Sequence, residues 1–123
     1  MGVHALDHVN IDTCRLDDTV QFYAGVLGLE VRPKPSGNPG VWLYAGNQAI
    51  VHVNVIESDR SGAGTGAVNH VAFGATDVAA LQEALRISGH PCRVSERRDL
   101  GVTQLFTTDP NGVAVELNIA DPV

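Results

Sequence analysis

The chain has 123 residues, 44% of them hydrophobic, and 8 basic against 14 acidic side chains for a net charge of −6. That is a single domain's length, within the common ~100–150 residues. The acidic balance argues against nucleic acid or an anionic membrane surface as the main partner, because both need a basic footprint. A small anionic substrate held by one or two local arginines stays open. No stretch approaches the ~18 apolar residues of a membrane span. The segment Met1-Gly2-Val3-His4-Ala5-Leu6-Asp7 has neither the basic nor the apolar region of a secretory signal. Leu6 stands where a myristoylation motif needs Ser or Thr. Cys14 and Cys92 form no C-x-x-C pair, so two reduced thiols and a cytoplasmic location are expected.

The first strand is expected at about Leu6–Ile11, where Val9 and Ile11 alternate with His8 and Asn10. Asp17 or Asp18 then offers an N-cap. Val20, Tyr23, Ala24 and Leu27 make an i, i+3, i+4, i+7 stripe, and Gly28 fits a C-cap. Strand signals follow near Glu30–Arg32, Val41–Tyr44 and Ala49–Ile56. Pro33, Pro35, Gly37, Pro39 and Gly40 mark a loop, and Ala45-Gly46-Asn47 a tight turn. The Ser- and Gly-rich stretch Glu57–Ala67 reads as a linker, with its core at 58–67.

The pattern then restarts. A strand is expected at Val68–Phe73, a cap at Asp77, and a helix with Val78, Leu81, Ala84 and Leu85 inward, stopped by Gly89 and Pro91. Strands follow near Arg93–Glu96, Val102–Phe106 and Val113–Ile119. Asp109-Pro110-Asn111-Gly112 is a turn, since Pro sets φ and Asn-Gly accepts positive φ.

These halves are two copies of one module, about 4–57 and about 68–120. Asp7-His8-Val9-Asn10-Ile11 aligns with Asn69-His70-Val71-Ala72-Phe73, and Trp42-Leu43-Tyr44 with Gln104-Leu105-Phe106, both at an offset of 62. The two extra residues of the Asp109 turn raise the offset to 64 for the last strand. There Ala49–Val55 aligns with Val113–Ile119, so His52 matches Glu116. Two copies of roughly 50 residues are too few for a solenoid, so they are expected to close on each other.

Parity places the chemistry. Residues i and i+2 share a strand face. Val51, Val53 and Val55 oppose His52 and Asn54; Val115, Leu117 and Ile119 oppose Glu116 and Asn118; Val71 and Phe73 oppose His70 and Ala72. Aliphatic faces turned toward helices would leave His8, His52, His70 and Glu116 on the other side. Leu43 and Leu105 fit the helix side, which would put Trp42, Tyr44, Gln104 and Phe106 among the polar groups. A single histidine on a wet strand face is usually just hydrogen-bonded. Repeat-equivalent positions for three histidines and a carboxylate point instead to one metal, because a buried carboxylate without a cation is costly. His4 and His90 fail the parity test and are expected on the surface.

The whole chain resembles the vicinal oxygen chelate superfamily, which includes glyoxalase I, fosfomycin-resistance thiol transferases, methylmalonyl-CoA epimerase, extradiol dioxygenases and bleomycin-resistance proteins. The resemblance is carried by Leu6-Asp7-His8-Val9, Gln21-Phe22-Tyr23 with Val26-Leu27-Gly28-Leu29, Asn69-His70-Val71-Ala72-Phe73, and Asp109-Pro110-Asn111-Gly112 leading to Val115-Glu116-Leu117. It implies an α+β fold of two βαβββ modules forming a curved mixed-sheet cup with helices outside. It implies metal ligands at His8, His52, His70 and Glu116, and commonly a homodimer. His52 departs from the pattern, since glyoxalase I typically has a glutamate there.

Three imidazoles and a carboxylate suit Zn, Ni, Fe(II), Co or Mn. A tetrahedral set would be closed and structural, whereas an octahedral ion keeps two positions open for neighbouring substrate oxygens. The leading expectation is a glyoxalase-like lyase or isomerase acting on a small substrate with vicinal oxygens. Glu116 or His52 would be its proton-transfer group. Arg97 and Arg98, expected in the loop before the seventh strand, are candidate contacts for a substrate anion. One alternative is an Fe(II) dioxygenase using His8, His70 and Glu116, with His52 as acid or base. Another is a non-catalytic drug- or metabolite-binding protein.

Overall fold

In a computed structural model of the chain, residues 2–35 and 37–120 are described. The chain divides into two compact units, Met1–Arg60 and Ser61–Val123. The first contains β1 (Val9–Thr13), α1 (Leu16–Val20) continued by a π-helical segment (Gln21–Val26), β2 (Glu30–Pro33), β3 (Gly40–Ala45) and β4 (Gln48–Val55). The second contains β5 (Val71–Ala75), α2 (Val78–Ser88), β6 (Arg93–Arg97), β7 (Val102–Thr108) and β8 (Ala114–Ala120). Each is therefore a βαβββ unit, and the α+β fold class is as expected.

The sheets have the same topology, β1-β4-β3-β2 and β5-β8-β7-β6. In each, the first strand runs parallel to the last and the other pairs are antiparallel. The ladders also share a register. Asn10 pairs with His52 and Ala72 with Glu116, the two offsets read from the sequence. Parity holds as well. Ile11, Leu43, Val51 and Val53 are buried in the first unit, and Leu105, Val115, Leu117 and Ile119 in the second. Burying such aliphatic side chains is worth roughly 1.5–3 kcal/mol each, which pins the register, since a one-residue slip would turn every one of them over.

The first helix differs from expectation. Neither Asp17 nor Asp18 caps it; both lie in its first turn, and Arg15 holds the N-cap position. Thr13 closes the turn instead. Its Oγ1 accepts the Arg15 N–H at 2.8 Å, and Thr19 Oγ1 donates to the Arg15 carbonyl at 2.7 Å. The buried stripe is Thr19, Phe22, Tyr23 and Val26, so of the expected stripe only Tyr23 is buried. The Leu27 N–H donates to the Phe22 carbonyl at 3.0 Å, an i→i−5 bond that shifts the helix out of the 3.6-residue period. Gly28 (φ +86°) ends it as expected.

The second helix follows the sequence reading. Asp77 Oδ1 accepts the Ala80 N–H at 3.1 Å, Leu85 is fully buried, and Gly89 (φ 78°) terminates the helix. In the 109–112 turn the buried Asp109 accepts the N–H groups of Asn111 (2.7 Å) and Val113 (2.9 Å) on Oδ1. Gly112 has φ +85°, and a Cβ there would meet the Ser61 carbonyl oxygen at 2.6 Å. His4 is exposed as expected, whereas His90 is half-buried, its N–H donating to the Leu85 carbonyl at the helix end.

Candidate functional site

Both strand-opening histidines lie one residue before the strands they were expected to occupy, because the ladders begin at Val9 and Val71. Each is fixed in the same way. The His8 Nδ1–H donates to Asp7 Oδ1 at 2.7 Å, and the His70 Nδ1–H donates to Asn69 Oδ1 at 3.0 Å. An imidazole that gives its Nδ1 proton to a neighbour keeps a lone pair on Nε2.

In the first unit this places His8 against His52. The rings stack with centroids 3.7 Å apart and planes 11° from parallel. Trp42, paired with His52 across β3 and β4, stacks on it at 4.1 Å. Burial, and then the neighbouring His8, hold the His52 imidazole below its ordinary value. It is therefore neutral at neutral pH, the form that accepts a proton or binds a cation.

In the second unit His70 Nε2 faces Glu116 Oε1 at 3.6 Å. Glu116 Oε2 accepts from Asn118 Nδ2 at 2.8 Å and from Gln104 Nε2 at 3.4 Å. The Glu116 side chain is only 12% exposed, and among the described residues no lysine or arginine pairs with it. Amide donors orient a carboxylate without supplying the positive charge that would compensate its burial.

Each unit thus assembles one pair of ligand-type side chains on its polar face: His8 with His52, and His70 with Glu116. Among the described residues no three His, Cys, Asp or Glu side chains are gathered within one cluster. The donor chemistry of both pairs fits a divalent transition metal. His8 and His70 each have an orienting partner on Nδ1, and among the described residues the half-buried Glu116 carboxylate has no lysine or arginine beside it.

The expected lining residues share these faces. Trp42, Tyr44, Gln104 and Phe106 are all half-buried. Two arginines that sequence reasoning missed cover their rings, Arg32 over Tyr44 and Arg93 over Phe106, each with its guanidinium carbon 4.2 Å from the ring centre. Arg97 belongs to the end of β6 rather than to the following loop. It donates to Asp99 at 2.7 and 3.0 Å, and Arg98 lies 3.9 Å from Glu96 and is almost fully exposed. Lys34 was also missed. Glu30, Arg32 and Lys34 alternate as strand residues do, a signal masked by the prolines at 33 and 35.

The chain belongs to the Glyoxalase/Bleomycin resistance protein/Dioxygenase superfamily, whose profile matches residues 5–117. No curated protein matches it. Among solved structures it is similar to a putative glyoxalase family protein from Bacillus anthracis, at 21% identity and a TM-score of 0.75 over 98% of each chain. It is also similar to the fosfomycin resistance protein FosX from Listeria monocytogenes, at 18% identity and a TM-score of 0.72 over 97% of this chain and 95% of that one. TnmS3, an antibiotic binding protein from Streptomyces sp. CB03234, shares 14% identity and a TM-score of 0.69 over 98% and 99%. At these identities the likeness is one of fold. No helix among the described residues is long and apolar enough to cross a membrane.

Proposed function

We propose that the chain is a glyoxalase-like, metal-dependent enzyme of lyase or isomerase type, acting on a small substrate with vicinal oxygens. His8, His52, His70 and Glu116 would hold one divalent ion, supplied by one chain or by two copies in a homodimer. The observation that supports this most is the half-buried Glu116 carboxylate, which has an imidazole at 3.6 Å and, among the described residues, no lysine or arginine partner. A bound ion would supply Lewis acidity to the substrate oxygens. The protein's own part is proton handling and orientation. Asn118 and Gln104 hold Glu116 Oε2 in place, and Oε1, to which no amide donates among the described residues, would be the oxygen that takes a proton. His52, neutral and shielded by Trp42, is the second candidate for that role.

The test is metal analysis by mass spectrometry on protein purified without chelator or affinity metal, followed by solvent-deuterium exchange into a panel of 2-hydroxy ketones. Tight Zn, Ni, Co or Mn that is lost in His70→Ala and Glu116→Gln, with exchange only in loaded protein, is the expected result. Oxygen uptake on catechols with iron bound would favour the dioxygenase instead.

One observation favours a second reading, ligand binding without turnover. The continuous His8–His52–Trp42 ring stack is a surface suited to a flat aromatic ligand. Protein that purifies without metal, and whose affinity for a flat aromatic ligand falls in His8→Ala and Trp42→Ala, would support it.

A further inference from the structure

Among the described residues, the polar face of the first unit has one cation without a carboxylate partner. Arg32 is committed to Glu30, with hydrogen bonds of 2.9 and 3.2 Å, and Arg60 to Asp12 at 3.0 Å. Asp7 holds His8. Lys34 is half-buried, and its Nζ donates to the neutral Asn54 Oδ1 at 2.6 Å; among the described residues it has no carboxylate partner. Asn54 follows His52 by two residues on β4 and so shares its face. Asn54 is held in turn, its Nδ2 donating to Asn10 Oδ1 at 3.0 Å.

Lys34 reaches Asn54 because β3 presents no side chain between them. Gly40 is the β3 residue paired with Asn54. It has φ +148°, and a Cβ there would lie 2.0 Å from the Val53 carbonyl oxygen. Glycine is therefore required at 40, and it leaves a gap across which the lysine extends beside His52.

We propose that Lys34 anchors an oxyanion of the substrate, a carboxylate, phosphate or phosphonate, while the vicinal oxygens of the same molecule lie toward His52. This rests on the metal-centred reading and narrows its substrate class to small acids. A half-buried ammonium with only an amide for company gains most from an anion, because a charge-assisted bond is about twice as strong as a neutral one. Arg97 and Arg98, already beside Asp99 and Glu96, have less to gain.

The test compares wild type, Lys34→Met and Lys34→Arg by calorimetry. Zinc-loaded protein is titrated with acetohydroxamate, which offers vicinal oxygens and no spare anion, and with phosphonoformate, which offers both. Metal-free protein is titrated with inorganic phosphate. The expected result is a preference for phosphonoformate that falls by about tenfold in Lys34→Met, the scale of one charge-assisted hydrogen bond. Lys34→Arg keeps the preference, and acetohydroxamate affinity is equal in all three. A preference unchanged in Lys34→Met overturns the proposal. If the protein takes up no zinc, the metal-centred reading fails and the phosphate titration decides alone. Binding lost in Lys34→Met supports the anion site, and equal or absent binding in wild type and variant overturns it.

Discussion

The imidazoles of His8 and His52 lie face to face, centroids 3.7 Å apart, and the His52 ring is closed on its other side by Trp42. Burial disfavours a proton on His52, and the neighbouring His8 ring adds to the cost. The His52 imidazole is accordingly held below the ordinary value of 6.5. Above about pH 6.5 it is neutral in folded and unfolded chain alike. As the pH falls, the unfolded chain takes the proton first, so folding stability drops until the folded value is also passed. Metal-free wild type should therefore lose more Tm between pH 8 and pH 5 than His52→Gln does. Equal losses would show that the buried His52 imidazole does not set the acid sensitivity.

If the metal-centred reading holds, the side chains behind the histidines should matter to metal affinity without being ligands. Asp7 and Asn69 each accept an Nδ1–H and so fix which nitrogen is free. Removing such a partner typically costs about 10–100-fold in affinity. Asp7→Ala and Asn69→Ala should each weaken zinc binding by roughly tenfold, measured by competition with a chromogenic chelator, with Tm nearly unchanged. Full affinity in both would mean that the imidazoles are oriented by something else.

Gly40 should tolerate no side chain. Gly40→Ala forces a Cβ against the Val53 carbonyl in a backbone region that favours glycine. The loss should be about 3 kcal/mol or more, with β3 and β4 exchanging amide protons faster. Gly62→Ala, which meets nothing within 4 Å, should stay within about 0.5 kcal/mol. Comparable urea midpoints for the two variants would contradict the close approach.

What was legible in the sequence is what a strand writes with period two. His52 with Asn54 and Glu116 with Asn118 fell on the polar face because Val51, Val53, Val115 and Leu117 had to be buried. The first helix was less legible for two reasons. Thr19 is fully buried but polar, its hydroxyl satisfied by the Arg15 carbonyl, so an apolar stripe search passes over it. The π-helical turn then removes the period on which such a search depends. Lys34 was illegible for a third reason. Its place depends on a gap at Gly40, six residues on, and on Asn54 in another strand. Composition around Pro33 and Pro35 indicated only a loop.

The turn before β8 should carry a large share of the second unit's stability, because it sets the register that puts Glu116 on the polar face. Asp109 is 4% exposed, and its Oδ1 closes the turn on two backbone N–H groups. In Asp109→Ala those donors lose their partner inside the turn, at a cost of about 2 kcal/mol. Asp109→Asn keeps an acceptor oxygen and should recover at least half of that loss. If the metal-centred reading holds, Asp109→Ala should also lower zinc affinity and Asp109→Asn should restore it, since both act on Glu116 only through β8. Urea denaturation and chelator competition on the same samples separate the two effects. A destabilised Asp109→Ala that binds zinc as tightly as wild type would show that Glu116 keeps its place without this turn.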